Sequence, residues 1–397
     1  SCARINSRLD TAKIGSEGRV EAQRARLRGR CWETKNVSTR PGPGTDISRL
    51  DLGRELPTFG PSAFRAGPVM QRREFIGLVG GAAIAWPLAA RAQQSGRVRR
   101  IGILWATAED DLAKLRLATF LQGLHELGWR DGENVRFDVR FASGNLANAR
   151  QYAAELVALA PDVILAMGGS TMAGLREATR TVPVVFTIVA DPVGTGLVNS
   201  LSRPGGNVTG FMLFEYSLCG KWLSLLKEIA PGTTRAAVLR DAEVTSGIGQ
   251  FAVIQSVAPA VGVDVSPINM GDTAEMERAV EAFAGSANGG LIVAASALAQ
   301  VHRKRVIALA ARYKLPAVYY EPEFVAAGGL IAYGPNLLSE FRPAASYVDR
   351  ILKGEKPRDL PVQAPNTYEM AVNLKTAKAI GLVVPQAVLA GAEKVIE

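Results

Sequence analysis

Cysteine and histidine are scarce in this chain of 397 residues, with three of the first and two of the second. Cys2 and Cys31 lie near the start and Cys219 stands alone beyond them, so the body of the chain has no internal disulfide and no zinc spacing. Cys219 reads as apolar filling on a helix. His125 and His302 sit far apart in helical patterns, which leaves no base for a Cys–His or Ser–His set. Also missing are a P-loop and a G-x-S-x-G elbow, and Gly168-Gly169-Ser170-Thr171-Met172-Ala173-Gly174 lacks G-x-G-x-x-G spacing. No cofactor, no metal and no enzymatic activity are therefore expected.

Positive charge looks plentiful, with a net +9, but it is unevenly placed. Residues 1–69 carry 13 Lys and Arg against 7 Asp and Glu, residues 70–92 carry 3 against 1, and residues 93–397 carry 30 against 29. The body is neutral, which excludes a basic nucleic-acid-binding protein. A hydrophobic share of 48% excludes a disordered chain. The His302-Arg303-Lys304-Arg305 cluster splays around a helix and reads as solvated, and Arg203-Pro204-Gly205-Gly206-Asn207 reads as a tight turn.

Residues 1–69 show no helix or strand period and are interrupted by Pro41, Pro43, Pro57, Pro61 and Pro68, the pattern of a disordered or non-native leader. Met70-Gln71-Arg72-Arg73-Glu74-Phe75-Ile76 then opens a short positive region before an apolar run that ends in Ala90-Arg91-Ala92. The run is too short and too rich in Gly and Ala to span a bilayer. Residues 70–92 read as a twin-arginine-type signal peptide, with Met70 the true start, a mature start near Gln93 and a periplasmic location. No cysteine follows the cleavage site, so a lipoprotein is not expected.

Beyond residue 93 short apolar strands alternate with helical periods. Residues 100–105, 135–141, 162–167 and 182–189 read as strands, and so do 235–239, 263–268, 291–294 and 315–320. The stripe Leu112, Leu115, Leu121, Leu124 marks one intervening helix and Leu298 to Tyr313 another. The halves echo each other: Val182-Pro183 opens a strand ending in Asp191-Pro192, and Leu315-Pro316 opens one ending in Glu321-Pro322. The expectation is an α/β protein of two doubly wound, Rossmann-like lobes joined by hinge strands. Residues 93–212 plus about 335–355 form lobe 1; 213–334 plus about 356–397 form lobe 2.

Ligands of open parallel sheets bind beyond the carboxyl ends of the strands. Those ends carry Gly169, Ser170 and Thr171, then Asp191, Ser296 and Glu321. Free N–H groups and hydroxyls before a helix suit a carboxylate, and Asp191 suits an ammonium, so together they would hold a zwitterion. Each has a plainer reading: Ser170 as an N-cap, Asp191 as the opening of the turn with Pro192, Glu321 as a helix-start carboxylate. Trp105 and Tyr320 are candidates for an aromatic wall or for core.

Longer motifs carry a family resemblance. Asp191-Pro192-Val193-Gly194 with Gly196-Leu197-Val198, and Arg203-Pro204-Gly205-Gly206-Asn207-Val208-Thr209-Gly210, resemble the ABC transporter substrate-binding family whose best-known members bind tryptophan and related amino acids. So do Gly328-Gly329-Leu330, Tyr333-Gly334, Tyr347-Val348-Asp349, Asp359-Leu360-Pro361-Val362 and Asn373-Leu374-Lys375-Thr376-Ala377-Lys378. The resemblance runs from about Arg99 to Glu397. It implies a type I periplasmic binding fold, capture of a small solute between lobes, and delivery by a monomer to an inner-membrane permease and its ATPase. Ser170, Thr171 and Asp191 are the contacts it implies. Ala295-Ser296-Ala297-Leu298 departs from the polar, acidic loop of the tryptophan-binding members. The same fold also serves ligand-sensing modules of regulatory systems, the alternative on this reading.

Peptide mass mapping of the natively expressed protein should find an N-terminus near Gln93 and no peptide from residues 1–69. A single peptide from that leader would overturn the reading of Met70 as the start.

Overall fold

The computed structural model describes residues 97–397. The leader, the export signal, Cys2, Cys31 and the expected start at Gln93 lie outside the described residues. The first sheet consists of β1 (Arg99–Trp105), β2 (Val135–Phe141), β3 (Val163–Met167), β4 (Val184–Val189) and β5 (Val208–Met212). All run parallel, in the order β2-β1-β3-β4-β5. Their connections include α1 (Asp111–Glu126), α2 (Leu146–Ala158) and α3 (Gly169–Ala178). Every residue of β3 is buried, as a strand covered on both faces requires. The pleat sends alternate residues to opposite layers. Ile101, Ile103 and Trp105 join Phe120 and Leu124 of α1, whereas Leu104 faces Leu156 of α2 and Leu175 of α3.

The second lobe repeats this order. Its strands are β6 (Arg235–Arg240), β7 (Asp264–Asn269), β8 (Gly289–Val293), β9 (Ala317–Tyr319) and β10 (Ile331–Pro335), followed by β11 (Tyr368–Asn373) and β12 (Lys394–Ile396). The sheet runs β7-β6-β8-β9-β10-β11-β12, with only the β10–β11 pairing antiparallel. Its first five positions match the first sheet strand for strand, which gives the Val-Pro and Leu-Pro echo a physical basis: both open the fourth strand of a lobe. Pro267 falls in β7, at the sheet edge, where a missing N–H costs no ladder bond.

Around this sheet lie α4 (Cys219–Ile229), α5 (Thr245–Val261), α6 (Thr273–Ala284), α7 (Ala297–Val301) and α8 (Arg303–Arg312). They are followed by α9 (Pro322–Ala326), α10 (Phe341–Leu352), α11 (Leu374–Ala379) and α12 (Gln386–Ala390). The single helix expected over 298–313 is two, broken at His302. The α1 stripe is also rotated: Ala113, Arg116, Phe120, Gly123 and Leu124 are buried, whereas Leu115 is 52% exposed.

Three segments cross between the sheets: 213–218 after β5, 336–340 after β10, and 364–367 before β11. Helix α10 belongs to lobe 1, where its Phe341 stacks on Trp105 with ring centres 5.5 Å apart. The last crossing comes later than the expected position near 356. Leu360 and Val362 are buried in lobe 1, Gln363 donates to Gly210 O at 2.9 Å, and Met212 donates to Gln363 O at 2.9 Å. Residues 360–363 thus lie against lobe 1, with a single parallel bridge between Gln363 and Phe211 of β5.

The second crossing also pins a strained turn. Ile188, at the bulge between β4 and β5, has φ of 56°, a region that β-branched residues rarely occupy. Glu340 holds it there by accepting the Ile188 N–H at 3.2 Å. Burial is the main reason that the Glu340 carboxyl is pushed up from 4.5 to about 8, against smaller opposing effects of the Ile188 bond and the Arg116 charge.

Two measurements follow from this packing. Gly210 has φ of 154°, and a Cβ there would lie 2.1 Å from Phe186 O on β4. Gly210→Ala should therefore lower stability by about 1–3 kcal/mol in thermal unfolding, whereas Gly206→Ala, which meets nothing within 4 Å, should not; equal effects would remove the steric account. For Glu340, the folded carboxyl binds its proton more tightly than the unfolded one, so stability should be highest below about pH 4.5 as far as this group is concerned and fall as pH rises toward 8. Glu340→Gln should flatten that decline in denaturant titrations at pH 5, 6.5 and 8; an unchanged slope would show that Glu340 titrates normally.

Candidate functional site

The carboxyl ends of both sheets open onto one cleft, with about 580 Å³ of empty space counting the solvent at its mouth. Lobe 1 contributes Ala106 and Thr107 after β1, Gly168 to Ser170 after β3, and Ile188 and Ala190 from the β4 turn. Lobe 2 contributes Asp241, Val244 and Ser246 after β6, Ala295 to Ala297 after β8, and Tyr320 with Glu321 after β9. Leu213 and Leu337, on two of the crossings, complete the floor. Residues distant in sequence meet because equivalent strand ends of two similar sheets face each other.

The lobe 1 wall is an uncapped helix start. Gly168 occupies the N-cap position of α3 with φ of 91° and no side chain to accept the free N–H groups. A Cβ at Gly168 would also lie 2.8 Å from the Ala106 side chain. Ser170 is inside the helix rather than its cap, and its hydroxyl is buried with no hydrogen-bond partner in the protein. Thr171 faces away from the cleft wall and donates to Gly168 O at 2.7 Å, which fixes the turn. The positive end of α3 and an unsatisfied hydroxyl together favour an anionic group.

On the lobe 2 wall, Ser296 caps α7 by accepting the Ala299 N–H at 3.1 Å. Gln250, fully buried on α5, clamps the same loop: its amide donates to Ala295 O at 2.9 Å and accepts the Ala295 N–H at 2.8 Å. Next to it lies the most heavily charged contact of the cleft. Glu321, fully buried, accepts from Arg116 of the opposite lobe and from Gln300. Burial lowers the Arg116 pKa, and the neighbouring carboxylates of Glu323, Glu340 and Asp110 and the Tyr320 phenol oppose that shift. The Tyr320 phenol, itself buried, is pushed upward by desolvation and stays neutral. At the rim, Arg303 of lobe 2 lies 3.7 Å from Asp110 of lobe 1. The lobes are in contact along the cleft.

Of the residues expected from sequence, Gly169, Ser170, Ser296, Tyr320 and Glu321 line this one cleft. Three do not. Thr171 is buried behind the α3 turn. Trp105 lies in the lobe 1 core, 0% exposed, between Phe141 and Phe341. Asp191 turns its carboxylate back onto its own loop, accepting the Gly194 N–H at 2.8 Å, with φ of 42° at the bend. The structure thus places Asp191 in the turn with Pro192, outside the lining of this cleft.

Arg116, Gln300, Gln250 and Asp241 escaped the sequence reading. A signal existed for Arg116: it lies three residues after Ala113 and four before Phe120, so it is a charge on the buried face of its helix. Asp241 also had one, since it directly follows the apolar strand β6, at a carboxyl end of the sheet. Nothing local marks the two glutamines.

The protein relatives agree with this geometry. The family model described as ABC transporter substrate binding protein matches residues 100–396. A tyrosine-binding protein of Clostridioides difficile is 27% identical over 289 residues, which covers 72% of this chain and 82% of that protein. A conserved domain protein of Vibrio cholerae has the same fold at a TM-score of 0.70 and 27% identity, over 75% of this chain and 100% of that one. An ABC domain in complex with L-Trp from Streptococcus pneumonia shares the fold at a TM-score of 0.69 and 24% identity, over 75% and 99% of the two chains. With two lobes of matching strand order, a cleft between their strand ends and a family match along nearly the whole described region, the chain belongs to the ABC transporter substrate-binding protein family.

Proposed function

We propose that this protein is the exported solute-binding component of an ABC importer and captures an amino acid or related organic acid in the interlobe cleft. The observation that carries this reading is the pairing of an uncapped helix start bearing the orphan Ser170 hydroxyl with a buried, charged wall on the facing lobe. A solute carboxylate accepts from the α3 N–H groups and from Ser170, and Gly169 leaves room for it to approach the backbone. Ser296, Tyr320 and Glu321 form the facing side. The relative named for tyrosine and the fold relative holding L-Trp support an amino acid as the solute. In this reading the protein works as a monomer in the periplasm and presents its closed form to an inner-membrane permease and its ATPase.

Closure has a physical basis in the same residues. The Arg116–Glu321 bridge joins the lobes only when they meet, and desolvating two charges offsets most of the attraction gained. The pair thus guides the closed geometry without locking it. A ligand that touches both walls adds free energy to the closed state alone and shifts the population toward it.

Isothermal titration calorimetry against a panel of amino acids and aromatic acids tests the reading. At least one amino acid should bind, and Ser170→Ala should weaken it about tenfold, the loss of one hydrogen bond to a charged group. Binding of no panel member, accompanied by chemical turnover of one, would replace transport with catalysis.

A further inference from the structure

The cleft holds two carboxylates with different circumstances. Glu321 has a cation, Arg116, against one oxygen and Gln300 against the other. Asp241 is only 5% exposed and, among the described residues, has no Lys, Arg or His within ion-pair distance. Its carboxylate instead accepts the Glu243 N–H at 3.1 Å, which fixes its orientation at the end of β6. The start of α5 presses against it: a Cβ at Gly247 would lie 1.8 Å from Asp241 O. Position 241 is thus held rigidly, at the cleft wall, with a buried carboxylate that lacks a countercharge.

We propose that Asp241 receives the ammonium group of the bound amino acid. This rests on the amino acid reading above and names the residue that makes the site selective for an amine. The opposite wall supplies the complementary half. At the start of α3, the Ser170 hydroxyl is buried without a partner, and a Cβ at Gly169 would lie 3.6 Å from Ser246 Oγ on the first turn of α5. The carboxylate-binding turn of lobe 1 and the Asp241 turn of lobe 2 therefore approach each other across the closed cleft. A single α-carbon bearing both a carboxylate and an ammonium satisfies both walls at once. The role expected for Asp191 passes to a residue at the end of a different strand, because Asp241 lines the cleft whereas Asp191 lies outside its lining with the carboxylate turned onto its own loop.

Burial raises the Asp241 pKa, with the Glu243 charge adding to the effect and the Glu243 and Val244 N–H groups opposing it. A ligand cation relieves that cost. A ligand without one leaves the carboxylate desolvated and unpaired, the circumstance that yields strong rejection of an analogue.

The test compares L-tyrosine and L-tryptophan with their desamino counterparts, hydroxyphenylpropanoate and indolepropanoate, by calorimetry on the whole protein. The wild type should bind an amino acid at least tenfold more tightly than its desamino counterpart. Asp241→Asn, which keeps the turn, should bring that ratio close to one, and Asp191→Ala should leave it unchanged. Retention of the wild-type ratio in Asp241→Asn, or its loss in Asp191→Ala, overturns the assignment while leaving amino acid binding intact. Where another amino acid of the panel binds instead, the same comparison is made with its desamino counterpart; a wild type that binds no amino acid removes the underlying reading and the assignment with it. Should Asp241→Asn fail to fold, a crystal structure of the wild-type complex decides. The ligand nitrogen should sit within hydrogen-bond distance of the Asp241 carboxylate, and a nitrogen held elsewhere refutes the assignment.

Discussion

The buried bridge from Arg116 to Glu321 is the interaction around which the cleft is organised. Each partner sits on the inner face of its own lobe, and neither has another opposite charge in hand at hydrogen-bond distance among the described residues. Separating the lobes rehydrates both ions, and joining them exchanges that hydration for the contact. On the reading proposed above, that balance leaves closure sensitive to small additional terms. Gln300 donates to Glu321, Arg303 donates in turn to Gln300, and the Tyr320 phenol stays neutral beside the bridge. A binding protein needs such a near-balanced closed state, since a cleft that shut firmly on nothing would answer no solute.

The two lobes show how a shared topology is put to different uses. Asp191 and Glu321 both stand just after the fourth strand of a lobe and both precede proline. Glu321 keeps an extended backbone, with φ of −144°, and delivers its carboxylate to the cleft. Asp191 bends into the left-handed region, and its carboxylate serves as a local hydrogen-bond acceptor. One backbone angle separates an acid that reaches the cleft from one that serves its own turn. The bulge at Ile188, three residues before Asp191, leads into that bend, and the second crossing stabilises the bulge through Glu340.

The alternation of strand and helix was legible because each strand is a continuous apolar run and each lobe needs both sheet faces covered. That Gly169, Ser170, Ser296 and Glu321 line the cleft was legible because they follow the carboxyl ends of the strands. The apolar stripe through Leu112 and Leu115 runs one residue out of phase with the buried face of Ala113, Arg116 and Phe120, so it passes Arg116 by. Asp191 was misplaced for a different reason: the Asp-Pro-x-Gly sequence specifies its own turn, and turn chemistry took the carboxylate before the cleft could. Trp105 ends a strand, yet its ring lies under α10, a helix made more than 230 residues later in the chain. No local pattern reports a contact of that kind.

That late helix has a consequence for how the molecule comes into being. Lobe 1 lacks the layer formed by Phe341, Tyr347 and Leu360 until residue 360 has been made, and lobe 2 lacks β11 and β12 until residue 396 has been made. Neither lobe is a continuous segment, so neither can finish folding first and wait for the other. Contacts closed over such spans are entropically costly and slow to form. Until that helix is in place the Trp105 face of the first sheet is uncovered, and exposed apolar surface of this kind favours aggregation. Once complete, the same interleaving means that no single cut in the chain releases one lobe from the other.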